Sequence, residues 1–294
     1  ASRARHNALR RVGPSPARPR PVPGPSPPRP PLRPHTMLPI GDENPTLRTP
    51  VMTYLILAVL FAVWLLVQGG GGLFSPQGTY ALVASVCNYG MVPGELTRQA
   101  PLGYALPIAA GLTCVVDNEP VNRLTPITSM FLHGSWGHIL SNSLYLWVFG
   151  NNVEDSMGRG RFLVFYLLCG LAAAGAHILI DPASPVPTVG ASGAISGILG
   201  AYLMLYPHAR VRIFWFIFIT HLPAWVVLVL WFGTQLLTGL PQLMPIARDV
   251  SGGVAVWAHV GGFVAGVALI FLFRDRTLVR RRTTGADALA TFQQ

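Results

Sequence analysis

Gly190-Ala191-Ser192-Gly193 opens an apolar segment that runs without a charged residue to Pro207. A second apolar segment carries Ala258-His259-Val260-Gly261-Gly262 near its start. Uncharged runs of about this length read as membrane helices. Polar side chains in hydrocarbon are costly and usually functional. A serine hydroxyl is a weak nucleophile until a neighbouring base takes its proton. Ser192 in one segment and His259 in the other therefore read as a nucleophile and its base.

The composition is that of a membrane chain. Of the 294 residues, 51% are hydrophobic and 11% charged, with a mean hydropathy of +0.46. A soluble domain carries about 25% charged residues. The fold class read from the apolar runs is all-α and polytopic, with six spans, at 51–68, 138–156, 161–180, 191–207, 212–233 and 254–273. Crossing a bilayer core takes roughly 17–25 residues. Residues 69–137 are of mixed polarity and read as a loop lying on or in the membrane interface.

The net charge of +10 comes from 21 basic residues, all of them Arg. Eight lie in the first 33 residues, and most of the rest cluster at span ends. That placement reads as membrane topology plus a tail, and not as a nucleic-acid surface. Arg48, Arg159, Arg161, Arg210, Arg212, Arg274, Arg276 and Arg280–Arg282 flank one side, while Arg98, Arg123 and Arg248 flank the other. Keeping the richer side in the cytoplasm puts both termini there. Residues 1–36 are rich in Pro and Arg and are expected to be disordered. They lack the apolar stretch of a signal peptide, and their prolines oppose the amphipathic helix of a mitochondrial leader. Met37 is the expected natural start, and 277–294 reads as a cytoplasmic tail. The three cysteines show no metal spacing, and Cys87 and Cys114 share one predicted external loop as a candidate pair.

Ser192 lies 15 residues before Pro207, and His259 lies 15 residues before Arg274. The fourth and sixth spans run in the same direction, so both residues sit about 22 Å above the inner boundary of a core roughly 30 Å thick. Gly193, Gly197 and Gly200 on one helix, and Gly262 and Gly266 on the other, are spaced to let the backbones touch. Neither span core holds an acid, since Asp249 precedes the sixth and Asp275 follows it. A Ser-His dyad is expected, not a triad.

A developing oxyanion needs donors. In His133-Gly134-Ser135-Trp136-Gly137-His138-Ile139-Leu140-Ser141-Asn142, His138 and Asn142 are four apart and share a helix face. Both side chains can donate, and the Ser192 N–H at a helix start is a third candidate. His133 reads as a brace for the loop ahead of that helix. Gly190 and Gly193 allow a tight entry and close substrate approach. His177 and His221 read as helix-bridging hydrogen bonders. A metal site or proton relay on His133, His138 and His259 is the weaker reading: no carboxylate accompanies them in the membrane, and Ser192 would be unexplained. No cofactor or metal is expected.

The chain resembles the rhomboid family of intramembrane serine proteases. The resemblance rests on H-G-S-W-G-H-I-L-S-N at 133–142, G-A-S-G at 190–193 and A-H-V-G-G-F-V-A-G at 258–266, in the family's order. It covers about Met37 to Arg274 and makes 37–276 the protease domain. It implies Ser192 as nucleophile, His259 as general base, and His138 and Asn142 as oxyanion donors. It also implies substrates that are transmembrane proteins, cut in or near the bilayer without ATP or metal. The fifth span and the loop after it resemble the family's lateral gate, with Pro223 loosening that span. Two positions depart from the family's pattern. Asn122-Arg123 stands where Trp-Arg is frequent, and Ser196 stands where a tyrosine often lies against the base. The alternative reading is a non-catalytic rhomboid-like chaperone or binding protein. A bacterial cytoplasmic membrane is the expected location.

Overall fold

In the computed structural model the described residues are 9–11, 38–73, 75–109, 111–117, 122–215, 217–240 and 255–279. Most of the 1–36 tail, the 277–294 tail beyond residue 279 and Asp249 lie outside them. In chain order the main elements begin with strands β1 (Leu9–Arg11) and β2 (Leu38–Asp42), then helices α1 (Val51–Ala62) and α2 (Pro76–Tyr89). Strands β3 (Ala105–Ala109) and β4 (Leu112–Val115) follow, then α3 (Trp136–Tyr145), α4 (Asn151–Met157), α5 (Arg159–Ile180) and α6 (Ser192–Leu205). The chain continues through β5 (Arg210–Trp215), β6 (Phe218–Pro223), α7 (Ala224–Gly239) and α8 (Val256–Phe273). Wider π-type turns carry α1 on to Val67 and join α3 to α4 through Leu146–Gly150.

The protein is mostly helical, as the sequence reading expects. By length and composition α5 and α8 are long and apolar enough to cross a membrane, and Val51–Val67, α6 and α7 are shorter apolar helices. The all-α reading missed two small antiparallel sheets. One has the order β1-β4-β3 and the other β2-β5-β6.

The expected fifth span, 212–233, is corrected. Its first half is the second strand pair, and the helix begins only at Ala224. The reason is local. In Arg210–Trp215, Val211 and Ile213 are fully buried while Arg210, Arg212 and Phe214 are exposed. That is the two-residue period of a strand with one covered face. Pro223 has no N–H to give and stands just before the helix, so it opens α7 and does not loosen it. The 69–137 segment, read as a loop, holds α2 and the β3–β4 hairpin. Cys87 on α2 is disulfide-bonded to Cys114 on β4, and Cys169 is free and buried.

Two carboxylates fix where α1 begins. Glu154 on α4 is 3% exposed and accepts from the Met52 N–H at 3.0 Å, the Thr53 N–H at 2.8 Å and the Thr53 hydroxyl at 2.8 Å. No residue of α1 itself caps those N–H groups, so a buried anion from another helix does so, with the helix dipole in its favour. Beside it, Asp155 accepts from the Leu47 N–H and pairs with Arg48 at 3.0 Å. Asp42 on β2 accepts from the Tyr202 hydroxyl and from Asn152 Nδ2, joining sheet, α4 and α6. Beyond α8, Asp275 is held below the usual carboxylate range by hydrogen bonds from the Thr277 hydroxyl and main chain.

The site-bearing helices meet backbone to backbone. A Cβ on Gly262 would fall 2.0 Å from Gly193 O, and one on Gly266 would fall 1.9 Å from Gly197 O. No side chain fits at either position, and that absence brings α6 and α8 into contact. Around this seam the core is made of Phe149, Phe162, Phe165, Tyr166, Ile198, Leu199 and Tyr202.

Glu154→Ala leaves two buried donors of Thr53 and the half-buried Met52 N–H without an acceptor. The expected cost is about 2–3 kcal/mol, read as an earlier unfolding transition in detergent. A transition at the wild-type position would show that α1 is held by something else.

Candidate active site

Ser192 is the first residue of α6, and its chain enters from a turn at Gly190. Gly190 has φ +129°, in the region that side chains disfavour, and its N–H donates to Ser129 O at 2.9 Å. His259 lies in the first turn of α8. The glycine seam sets the two helices at the distance at which their polar groups meet. His259 Nε2 lies 2.8 Å from Ser192 Oγ.

The other ring nitrogen is also engaged. His259 Nδ1 lies 2.8 Å from Gln235 Oε1 of α7. One turn earlier on the same face, the Trp231 ring tilts against the imidazole, with centroids 6.0 Å apart. Ser196 lies one turn beyond Ser192 and donates its hydroxyl to Ser192 O at 2.6 Å. The ring that the family often places one turn after the serine is here Trp231 of α7.

The α3 segment lines the same space. Ser135 caps α3 by accepting from the His138 N–H at 3.1 Å. The Gly134 N–H donates to His138 Nδ1 at 3.5 Å. A donor at Nδ1 leaves the ring proton on Nε2. His138 Nε2 packs onto Gly190, where a Cβ would approach it to 2.7 Å and would lie 3.5 Å from Ser192 Oγ. Asn142 is 6% exposed, and its Nδ2 has no hydrogen-bond partner among the described residues. A buried amide donor without an acceptor is rare, and one at the edge of a site is available for an oxygen that arrives with a ligand.

His133 is fully buried, and its ring packs edge-on against His138 with centroids 5.1 Å apart. The loop is braced through its main chain. Gln68 accepts from the His133 N–H at 2.9 Å and donates to His133 O at 2.8 Å. His177 lines the same cavity but does not bond the Ser192–His259 pair, and His221 lies on β6 outside it. The first bonds Thr188 Oγ1 at 3.0 Å, and the second lies 3.3 Å from Glu43.

Ser192, His259, His138, Asn142, Gly190 and Trp231 line one open cavity of about 980 Å³. Gly193 lines it too, while Gly262 and Gly266 act behind it in the helix seam. Sequence reasoning missed Gln68, Trp231 and Gln235. The signal was present for the last two: Gln235 is the lone amide in the apolar α7 run, four residues after a tryptophan.

Residues 122–276, just over half of the chain, match the family described as the Rhomboid domain. The chain belongs to the rhomboid family. It is similar to Rhomboid protease GluP of Bacillus subtilis, with 30% identity over 220 residues that cover 75% of this chain and 35% of that protein. It is also similar to Rhomboid protein 1, mitochondrial, of Saccharomyces cerevisiae, at 29% identity over 50% of this chain and 40% of that protein. RHOMBOID-like protein 5 of Arabidopsis thaliana is 32% identical over 52% of this chain and 45% of its own length. These alignments span less than half of each relative. Rhomboids are integral membrane proteins, and relatives named as proteases make this a protease family. The three relatives are bacterial, mitochondrial and from a plant, so membership in the rhomboid family places the chain in a membrane without choosing which one.

Gly190→Ala would press a methyl onto His138 Nε2 at a φ that alanine disfavours. Reaction of Ser192 with a fluorophosphonate is expected to slow by about 10-fold or more, since a group displaced by about 1 Å is costly. The strained φ is also expected to lower the unfolding transition in detergent, so labelling is compared at a temperature where the variant is still folded. Labelling at the wild-type rate would show that this turn tolerates a side chain.

Proposed function

We propose that the chain is an intramembrane serine endopeptidase that cuts transmembrane proteins with Ser192 and His259. The observation that carries this reading is the 2.8 Å contact between Ser192 Oγ and His259 Nε2 at one end of a glycine-packed helix pair. In the proposed reaction Ser192 Oγ attacks the scissile carbonyl carbon as its proton passes to His259 Nε2. The carbonyl oxygen becomes an oxyanion facing Asn142 Nδ2, the His138 Nε2–H and the Ser192 N–H. The intermediate collapses, the C–N bond breaks, and the imidazolium gives its proton to the leaving amine. Water then attacks the ester, giving its proton to the same base, and Ser192 is regenerated.

A helical substrate hides its peptide carbonyls in its own hydrogen bonds, so the cleaved segment must unwind on entering the site. The orientation that fits the arginine distribution is six spans with both termini in the cytoplasm, in a bacterial cytoplasmic membrane. Domain limits of 37–276 fit the same reading.

The test is cleavage of a transmembrane reporter in liposomes. Wild type is expected to cut it, while Ser192→Ala and His259→Ala each lose nearly all cleavage. Full activity in Ser192→Ala would overturn the mechanism. Absence of both cleavage and fluorophosphonate labelling in the wild type would favour a non-catalytic binding protein.

Asn142→Ala removes one oxyanion donor. Its kcat is expected to fall by about 10²–10³-fold, the usual effect of losing such a donor, with fluorophosphonate labelling also slowed. An unchanged kcat would remove Asn142 from the oxyanion site.

A further inference from the structure

We infer that Gln235 is the positioning residue of the site: through His259 Nδ1 it holds the imidazole in the tautomer and orientation that let Nε2 act as a base. The inference rests on the proposed role of His259. It goes beyond a two-residue dyad by adding a third group, on a third helix.

The geometry is a chain of two hydrogen bonds. Ser192 Oγ lies 2.8 Å from His259 Nε2, and His259 Nδ1 lies 2.8 Å from Gln235 Oε1. An amide oxygen has no proton and can only accept. Nδ1 must then carry the ring hydrogen, which leaves the Nε2 lone pair directed at the serine hydroxyl. In the opposite tautomer Nε2–H would point at Ser192, and the ring could not take its proton. Trp231, one turn before Gln235, lies against the ring face. Residues of α7 thus restrain the imidazole both at its edge and on its face.

An amide suits this place better than an acid. A carboxylate at this depth would carry a large desolvation cost. Asp275 follows α8 and lies 16 residues beyond His259, about 24 Å along a helix. A neutral acceptor selects the tautomer without placing a charge in the membrane. The arrangement has the logic of an acid-base-nucleophile triad, in which a third group orients the base.

The role belongs to α7, and α7 touches α8 far less extensively than α6 does. The glycine seam locks α6 to α8 at main-chain contact, whereas α7 meets α8 through side chains such as Phe232 on Phe263, with centroids 4.4 Å apart. Ser192 and His259 are therefore fixed to each other by backbone. The tautomer of His259 is fixed by a helix that is tied by its own main chain to Pro207 and Ala209 and meets α8 through side chains.

The test compares Gln235→Met, which keeps the length and apolar packing but removes the acceptor, with Gln235→Glu, which restores an acceptor oxygen. Cleavage of the transmembrane reporter is followed beside Ser192→Ala. Gln235→Met is expected to lose about 10-fold or more in kcat with KM unchanged, short of the about 10²–10⁴-fold that a general base supplies. Gln235→Glu is expected to recover part of that loss. A second readout is nitrogen-15 NMR of the His259 side chain, assigned by its loss in His259→Ala. Wild type is expected to show the Nδ1–H tautomer, and Gln235→Met a mixture. Wild-type kcat in Gln235→Met, or an Nε2–H tautomer in the wild type, would overturn the inference. If Gln235→Met fails to fold, the wild-type tautomer still decides. Should Ser192→Ala stay active, the enzyme reading itself fails, an outcome distinct from a neutral Gln235→Met with an inactive Ser192→Ala.

Discussion

The structure depends on one close approach, between α6 and α8. Main-chain carbonyls of Gly193 and Gly197 occupy the space where side chains of positions 262 and 266 would be. In a lipid environment no hydrophobic gain drives helix to helix, so association rests on packing and on hydrogen bonds. Bare backbone at four positions gives that packing, and with it a separation set by atoms that have no rotamers. A serine and a histidine at the same end of such a pair inherit a fixed distance. Larger residues along the seam would move the two groups apart without altering either.

The remaining elements serve this pair by filling what it leaves open. α3 contributes His138 and Asn142, and its start is fixed by Ser135 and by Gln68 holding the main chain of His133. α7 contributes Trp231 and Gln235 against the outer edge of the imidazole. Glu154 and Asp155 anchor α1 at the opposite end of the bundle, where buried carboxylates can be satisfied by main-chain N–H groups and by Arg48. These carboxylates lie away from the chemistry, and the side chains next to Ser192 and His259 are those of His138, Asn142 and Gln235.

Much of this was legible in the sequence because it is encoded by residue type at a spacing. Gly at i and i+4, a serine after a glycine turn, and His138 with Asn142 on one face are patterns that helix geometry converts directly into neighbours. Two kinds of feature were hidden. The 212–223 part of the hairpin reads as the start of a span because its residues are nearly as apolar as one, and hydropathy alone does not separate a period of two from an uninterrupted run. Gln235 and Gln68 were hidden because an isolated amide carries no motif: its meaning lies in which distant group it reaches. The family's aromatic contact on the base fell to another helix, so position 196 alone was a poor guide to whether a ring is present.

The bond between Cys87 and Cys114 has a topological consequence. Disulfides persist in oxidising compartments and are rare where thiols are kept reduced. The α2–β4 region that carries it is tied to the entrance of the site, since Met91, just after α2, pairs with Thr188, four residues before Ser192. If the chain cuts as proposed, it does so at the membrane face turned away from a reducing cytosol, and the severed part of a substrate is shed on that side. On the proposed reading, two cysteines outside the chemistry mark the face of the membrane at which the site opens.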